Sequence, residues 1–372
     1  MRKKLLALAA VGLLATATMT ACDDSNKSSD AGSGSGSGGG SGKARVGVIL
    51  PDTESSTRWK DVDAKYLKQA FDAQNVPVEI VNAEGDKANF VKIGTDMINS
   101  GVKVLIIANL DSDTGKEVLD KAKEKKIPTI DYDRLTLNGG ADYYVSFDNY
   151  GVGVLQGKYL KRCLSEKGYK NPVVAELNGS PTDNNATEFK NGYDSELQPM
   201  YDAATYTKGP DQSVPDWAND EAGVIFAEML AQQPRIRGVL AANDGLGNAV
   251  IEVLRKKKLN GEIPVTGQDA TLQGLQNILL GDQCMTVYKP LKPEAESAAD
   301  LAIALYNGEA PSTAELSQQK DPESGGYVPF VKLDPIAIDR TNIDRVIEDN
   351  FVDKAALCKG KFKKLCEDAD LL

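Results

Sequence analysis

From Arg45 onward, short unbroken apolar runs alternate with longer stretches in which apolar residues recur every three to four positions. The runs at 46–50, 78–81, 104–108, 129–132, 143–147, 173–177, 238–242, 264–267 and 285–288 read as strands. The stretches at 60–74, 90–100, 114–125, 152–167, 188–200, 221–232, 246–257, 272–280 and 293–307 read as helices. Strand–helix alternation repeated this often builds parallel sheets covered on both faces. Runs such as Val104-Leu105-Ile106-Ile107-Ala108 match strands buried on both sides. About 330 residues is long for one domain and natural for two. The pattern therefore predicts an α/β chain of two doubly wound, Rossmann-like parallel-sheet lobes.

The first 43 residues follow a different pattern. A basic start (Arg2, Lys3, Lys4), an apolar stretch over 5–14 and small residues up to Ala21 read as a secretory signal peptide, residues 1–21. Its apolar core is shorter than the roughly 20 residues a spanning helix needs. Cys22 stands at the cut as in a bacterial lipobox and is the expected lipidation site, although Met19 stands where Leu is usual. Residues 22–43, rich in Gly, Ser, Asp and Asn, have no apolar surface to bury and read as a flexible tether. The expected location is outside the cytoplasmic membrane, held by lipid to its outer face. In a cell with an outer membrane, Asp23 reads as an inner-membrane retention signal.

The formal net charge of -11 argues against a nucleic-acid partner. The chain has no histidine, which removes Ser-His-Asp and Cys-His catalysis and His-ligated zinc. No metal or other cofactor is expected. Beyond Cys22 there are four cysteines, Cys163, Cys284, Cys358 and Cys366, for which three pairings into two disulfides are open. Closeness in sequence favours Cys358 with Cys366.

Polar residues cluster just after the predicted strands: Arg58 after the first, Asp133 and Arg134, Asp183 and Asn185, Asn243, Asp269, and Lys289. In open α/β sheets ligands bind at the carboxyl ends of the strands. Residues from both halves of the chain thus converge on a cleft between lobes. Asp and Asn at such places also serve as helix caps, whereas arginine is a poor cap. The chain has two tryptophans: Trp59 in the first strand–helix loop and Trp217 at the start of a helix. A flat aromatic face packs against the C–H face of a pyranose while carboxylates, amides and cations take its hydroxyls, each charge-assisted bond contributing roughly 1.5–3 kcal/mol.

In order along the chain, Arg58-Trp59, Tyr132-Asp133-Arg134, Ser146-Phe147-Asp148-Asn149, Asp183-Asn184-Asn185-Ala186, Asn243-Asp244, Gly267-Gln268-Asp269-Ala270 and Thr286-Val287-Tyr288-Lys289-Pro290 resemble the sugar-binding proteins of bacterial ABC importers. This is the periplasmic type 1 group of ribose and galactose binders, and the likeness is to its D-xylose-binding branch, over roughly 44–350. The resemblance implies three hinge crossings, near Phe147-Asp148-Asn149, near Tyr288-Lys289-Pro290 and near 328–332. It gives an N-terminal lobe of 44–147 plus 289–328 and a second lobe with tail of 148–288 plus 329–372. It implies a monosaccharide ligand, D-xylose first, held in the inter-lobe cleft by Arg58, Asp133, Arg134, Asp183, Asn185, Asn243, Asp269 and Lys289 between the walls Trp59 and Trp217. Closure would then present a monomeric receptor to an ABC permease. The loop 109–113 and the tail 354–372 depart from the family pattern.

Other readings are a sensor presenting sugar to a chemoreceptor or kinase, and a receptor for another pentose or a hexose such as glucose. A glycosidase would need two of Asp133, Asp183 and Asp269 as a carboxylate pair, but neighbouring Arg and Lys should keep these ionised, where a general acid needs a raised pKa. No enzymatic activity is expected. The string Gly151-Val152-Gly153-Val154-Leu155-Gln156-Gly157 lacks the acidic partner of a dinucleotide site and reads as close helix–sheet packing.

Overall fold

The computed structural model describes residues 45–372; the signal peptide, Cys22 and the linker lie outside the described residues. Twelve strands are formed: β1 Val46–Leu50, β2 Val78–Asn82, β3 Val104–Ile107, β4 Thr129–Tyr132, β5 Tyr143–Phe147, β6 Val173–Asn178, β7 Thr207–Ser213, β8 Ile236–Ala241, β9 Thr286–Tyr288, β10 Ser317–Lys320, β11 Tyr327–Leu333 and β12 Ile336–Ile338. The helices are α1 Thr57–Asp61, α2 Asp63–Ala73, α3 Lys87–Asn99, α4 Ser112–Glu124, α5 Asn149–Glu166, α6 Asn184–Asp202, α7 Asn219–Gln232, α8 Asp244–Lys256, α9 Leu272–Leu280, α10 Leu291–Tyr306, α11 Asp344–Glu348, α12 Lys354–Leu357 and α13 Phe362–Glu367.

The first lobe is a seven-stranded sheet in the order β10-β11-β5-β4-β3-β1-β2, parallel except for the β10–β11 pair. Side chains alternate across it, as the pleat requires. Val46, Val48 and Leu50 pack with Leu67 and Phe71 of α2 and the alanine face of α10, Ala295, Ala298, Ala299 and Ala302. Ile49, Leu105 and Ile107 pack on the other face with Phe90 of α3 and Val118 of α4. The second lobe is built on the parallel sheet β7-β6-β8. The run at 264–267 contributes only a bridge, Val265 beside Val239.

The chain passes between lobes three times. The first two crossings lie after β5 and after β9. The third is displaced. β11 stays in register with β5 as far as Leu333 opposite Phe147, so residues 329–333 belong to the first sheet and the chain leaves it at Asp334-Pro335. It then pairs β12 with β9. The glycine string also needs correction. It lies in α5, and a side chain at Gly153 would strike the Phe189 carbonyl of α6 and one at Gly157 the Glu196 side chain, so these two glycines let two helices approach rather than a helix and a sheet.

All four cysteines beyond Cys22 are bonded, Cys163 to Cys284 and Cys358 to Cys366. The tail 354–372 packs Leu357, Cys366 and Leu371, with Ile343 and Val346 just before it, against Leu275, Ile278 and Leu279 of α9. No helix among the described residues is long and apolar enough to cross a membrane.

Candidate functional site

Residues following β1 and β4 in the first lobe meet those following β6, β8 and β9 around one cavity. Its wall contains Arg58, Trp59, Asp133, Arg134, Asp183, Asn185, Trp217, Asn243, Asp269 and Lys289, with Ser55, Ser56, Phe189 and Gln268 completing it. The space open to the centre of a water molecule is only about 30 Å³, so side chains nearly fill the cavity, well below the roughly 300–1,000 Å³ of a ligand-ready pocket.

Arg58 and Trp59 lie on the single-turn helix α1, not in a loop. The Arg58 guanidinium uses four of its five N–H donors on carboxylates: it donates to both oxygens of Asp63 at 2.9 and 2.7 Å, to Asp133 Oδ1 at 2.7 Å and to Glu294 Oε2 at 2.7 Å. Tyr132 donates its hydroxyl to Asp63 Oδ1 at 2.6 Å. The guanidinium carbon stands 4.2 Å from the Trp59 ring centre, and that of Arg134 stands 5.4 Å from it, within reach of cation–π attraction. Two cations thus fix the ring of one cavity wall.

Asp133 follows β4 with φ +62°. Its carbonyl accepts from Tyr144 Oη (2.9 Å), Ser146 Oγ (2.8 Å) and Asn185 Nδ2 (2.9 Å), which hold the unusual backbone. Burial pushes its carboxyl pKa up, but Arg58, Lys289 and Arg134 outweigh burial and hold it below the ordinary carboxylate range. An ionised, hydrogen-bond-accepting Asp133 suits a hydroxyl ligand and not a general acid.

Asp183 and Asn243 unite the two readings open to such residues. Asp183 caps α6 by accepting from Asn185 N at 2.9 Å, and its other oxygen accepts from Trp217 Nε1 at 3.1 Å. Asn243 caps α8 through Leu246 N at 2.9 Å. Trp217 does not open a helix. It ends the 3₁₀ turn Pro215–Trp217 with φ +57°, and α7 begins only at Asn219. Gly179 makes this placement possible, because a Cβ there would lie 2.1 Å from the Trp217 ring.

Asp269 has φ +94°. Positive φ at three non-glycine wall residues, Asp133, Trp217 and Asp269, is uncommon and costs about 1–3 kcal/mol each, a strain that clusters at ligand sites. Lys289 sits between carboxylates of both lobes, 3.7 Å from Asp133 Oδ1 and 3.5 Å from Asp269 Oδ1. The lobes also touch through Ser56 Oγ donating to Asp269 Oδ2 at 3.1 Å and Arg134 Nε at 3.4 Å from Asp183 Oδ2.

Several contributors escaped the sequence reading. Asp63 and Glu294 fix Arg58 from helix positions that read as ordinary surface acids. Phe189 stands edge-on to Trp217, 6.4 Å between ring centres, and extends the aromatic wall. Gln268 was visible as the neighbour of Asp269; its Oε1 is buried without a hydrogen-bond partner, an acceptor available to a hydroxyl. The divergent loop at 109–113 supports Arg134, whose Nη1 donates to the Asn109 carbonyl at 3.0 Å.

Comparison with known proteins gives a consistent picture. Residues 46–310 match the family model described as periplasmic binding protein domain. The chain is 34% identical over 313 residues to the D-xylose-binding periplasmic protein of Escherichia coli, covering 83% of this chain and 91% of that one. It is 33% identical over 316 residues to the D-xylose-binding periplasmic protein of Haemophilus influenzae, covering 84% and 92%. Among solved structures, an ABC transporter solute-binding protein from Clostridium phytofermentans with bound β-D-glucose superposes with a TM-score of 0.76 at 28% identity, covering 84% of this chain and 99% of that one.

Proposed function

We propose, since this chain belongs to the periplasmic binding protein family, that it captures D-xylose between its lobes and delivers it to an ABC permease. It is a sugar-binding transport protein and not an enzyme. The observation that carries the choice of site is the single cavity in which ten residues, read from seven separate segments, come together. Trp59, Trp217 and Phe189 supply apolar walls for the ring. Asp133, Asp183 and Asp269 accept from hydroxyls, and Arg58, Arg134, Lys289, Asn185 and Asn243 donate to them. Because the wall is drawn from both lobes, the sugar binds the closed form better than the open one and shifts the population toward it. The resemblance to D-xylose binders supports the pentose. The signal peptide and Cys22 support a monomeric receptor tethered by lipid to the outer face of the cytoplasmic membrane.

A second reading, glucose, is favoured by the bound β-D-glucose of the Clostridium structure. Calorimetric titration with D-xylose, D-glucose, D-ribose, L-arabinose and D-galactose separates the two. Micromolar or tighter binding with xylose strongest is the expected result. Preference for glucose would replace the substrate, and no binding to any of the five would remove the cavity as a monosaccharide site.

A further inference from the structure

We propose that a second sugar subsite adjoins the first and takes the neighbouring ring of a neutral disaccharide or glycoside. The inference rests on the sugar-receptor reading and extends its ligand class. A larger cavity of about 520 Å³ lies between the lobes, bounded by Lys87 on one side and by Asp216 and Asn219 on the other. It shares Ser55, Arg134, Asp183 and Trp217 with the inner cavity, so the two are separated by one layer of side chains. The inner chamber is cramped, with only about 30 Å³ open to the centre of a water molecule. The outer one has the room that a second pyranose requires.

The dividing layer can be parted by a single linking oxygen. The Arg134–Asp183 pair is loose at 3.4 Å, against 2.7 Å for Arg58 and Asp133. Trp217 borders both cavities, and the consecutive left-handed residues Asp216 (φ +51°) and Trp217 (φ +57°) place it there. This strained turn bears on the outer cavity as much as the inner, as expected of a ligand clamp. The outer wall carries six carboxylates against the two cations Lys87 and Arg134. Its field admits neutral rings, whose hydroxyls find acceptors, and repels uronates and sugar phosphates.

The test is calorimetric titration of the whole protein with D-xylose, xylobiose, D-glucose and cellobiose, repeated on Lys87→Ala and Asp216→Asn. Asparagine is chosen at 216 because it tolerates positive φ. The disaccharide of the preferred sugar should bind within about tenfold of the monosaccharide. Both substitutions should weaken the disaccharide by about fivefold or more while leaving the monosaccharide within about twofold, the loss of one polar contact. A monosaccharide that binds while its disaccharide does not overturns the subsite and leaves the receptor reading standing. Substitutions that weaken both ligands equally also overturn it. If none of the four sugars binds, the receptor reading falls and the subsite falls with it.

Discussion

Arg58 donates to three carboxylates that solvent does not reach, and this arrangement has a consequence in pH. With Asp63, Asp133 and Glu294 around one guanidinium and the Lys289 ammonium near Asp133, the buried cluster is short of positive charge. Burial pushes the Glu294 carboxyl pKa up to about 8, against the pull of Arg58 and with the push of Asp133 and Asp63. Its Oε1 has no hydrogen-bond partner, so a proton there is compatible with the geometry. A carboxyl raised from 4.5 to about 8 binds a proton in the folded state across a window where the unfolded chain has released it. Stability therefore falls as pH rises through that window. Glu294→Gln keeps a carbonyl acceptor for Arg58 and cannot titrate. Asp131 and Asp244, both raised to about 7, act with the same sign in both proteins. Urea midpoints at pH 5 and pH 8 should fall less in the variant than in the parent; equal falls would show that Glu294 is not the group holding the proton. Asp133 and Asp269 were legible because a polar residue directly after an apolar run marks a strand's carboxyl end. Glu294 was not, since an acid in the first turn of a helix is favoured by the helix dipole on any surface.

At the scale of elements, legibility followed burial on both faces. β1 and β3 are continuous runs without a polar side chain, β5 is broken only by Ser146, and all three are buried throughout. Most of the strands missed are polar or interrupted; β12, Ile-Ala-Ile, is apolar but only three residues long. β7 reads Thr-Lys-Gly-Pro-Asp-Gln-Ser at the edge of its sheet, and β10 reads Ser-Gln-Gln-Lys at the edge of the other. Edge strands tolerate Pro and charge because one side of their backbone faces no partner, which removes the apolar signal. β11 contains Pro329, and failing to see it displaced the third crossing. The tail α11–α13 was invisible as a packing unit, yet it covers α9 and sets Phe351 5.0 Å from Tyr288 at the second crossing. Its disulfide closes a short loop, with a sequence separation of 8 between Cys358 and Cys366, worth about 2–3 kcal/mol by loop entropy. The double substitution Cys358→Ala/Cys366→Ala should lower stability by about that amount in urea while sugar affinity stays unchanged, because neither residue borders the sugar cavity. A loss of affinity equal to the loss of stability would instead make the tail part of the closure.

For the whole molecule, the proposed sugar site exists only where the two lobes meet. Each lobe alone carries half of the wall: Arg58, Asp133 and Arg134 on one side; Asp183, Asn243 and Asp269 on the other. The contacts between them are polar: Ser56 with Asp269, Arg134 with Asp183, Asn185 Nδ2 donating to the Asp133 carbonyl, and Asn219 Nδ2 donating to the Glu54 carbonyl at 3.3 Å. At the hinge, Gln319 donates to Glu188 at 2.6 Å and Lys332 lies 3.3 Å from Asp148. The exposed ones contribute about 0–1 kcal/mol each, and the buried Arg134–Asp183 pair must first repay its own desolvation, which leaves little to hold the lobes shut without ligand. Bound sugar must supply the difference, so affinity and closure should fail together. The radius of gyration in solution scattering should fall when saturating D-xylose is added to the parent protein. Asp269→Ala, which removes an acceptor and the partner of both Ser56 and Lys289, should weaken binding by about 1.5–3 kcal/mol, tenfold or more. At the same sugar concentration it should retain the larger radius, and raising the sugar in proportion to the lost affinity should restore the smaller one. A parent protein whose radius does not change at saturation would mean that the lobes are shut before the sugar arrives, and that the hinge contacts are stronger than their exposure allows.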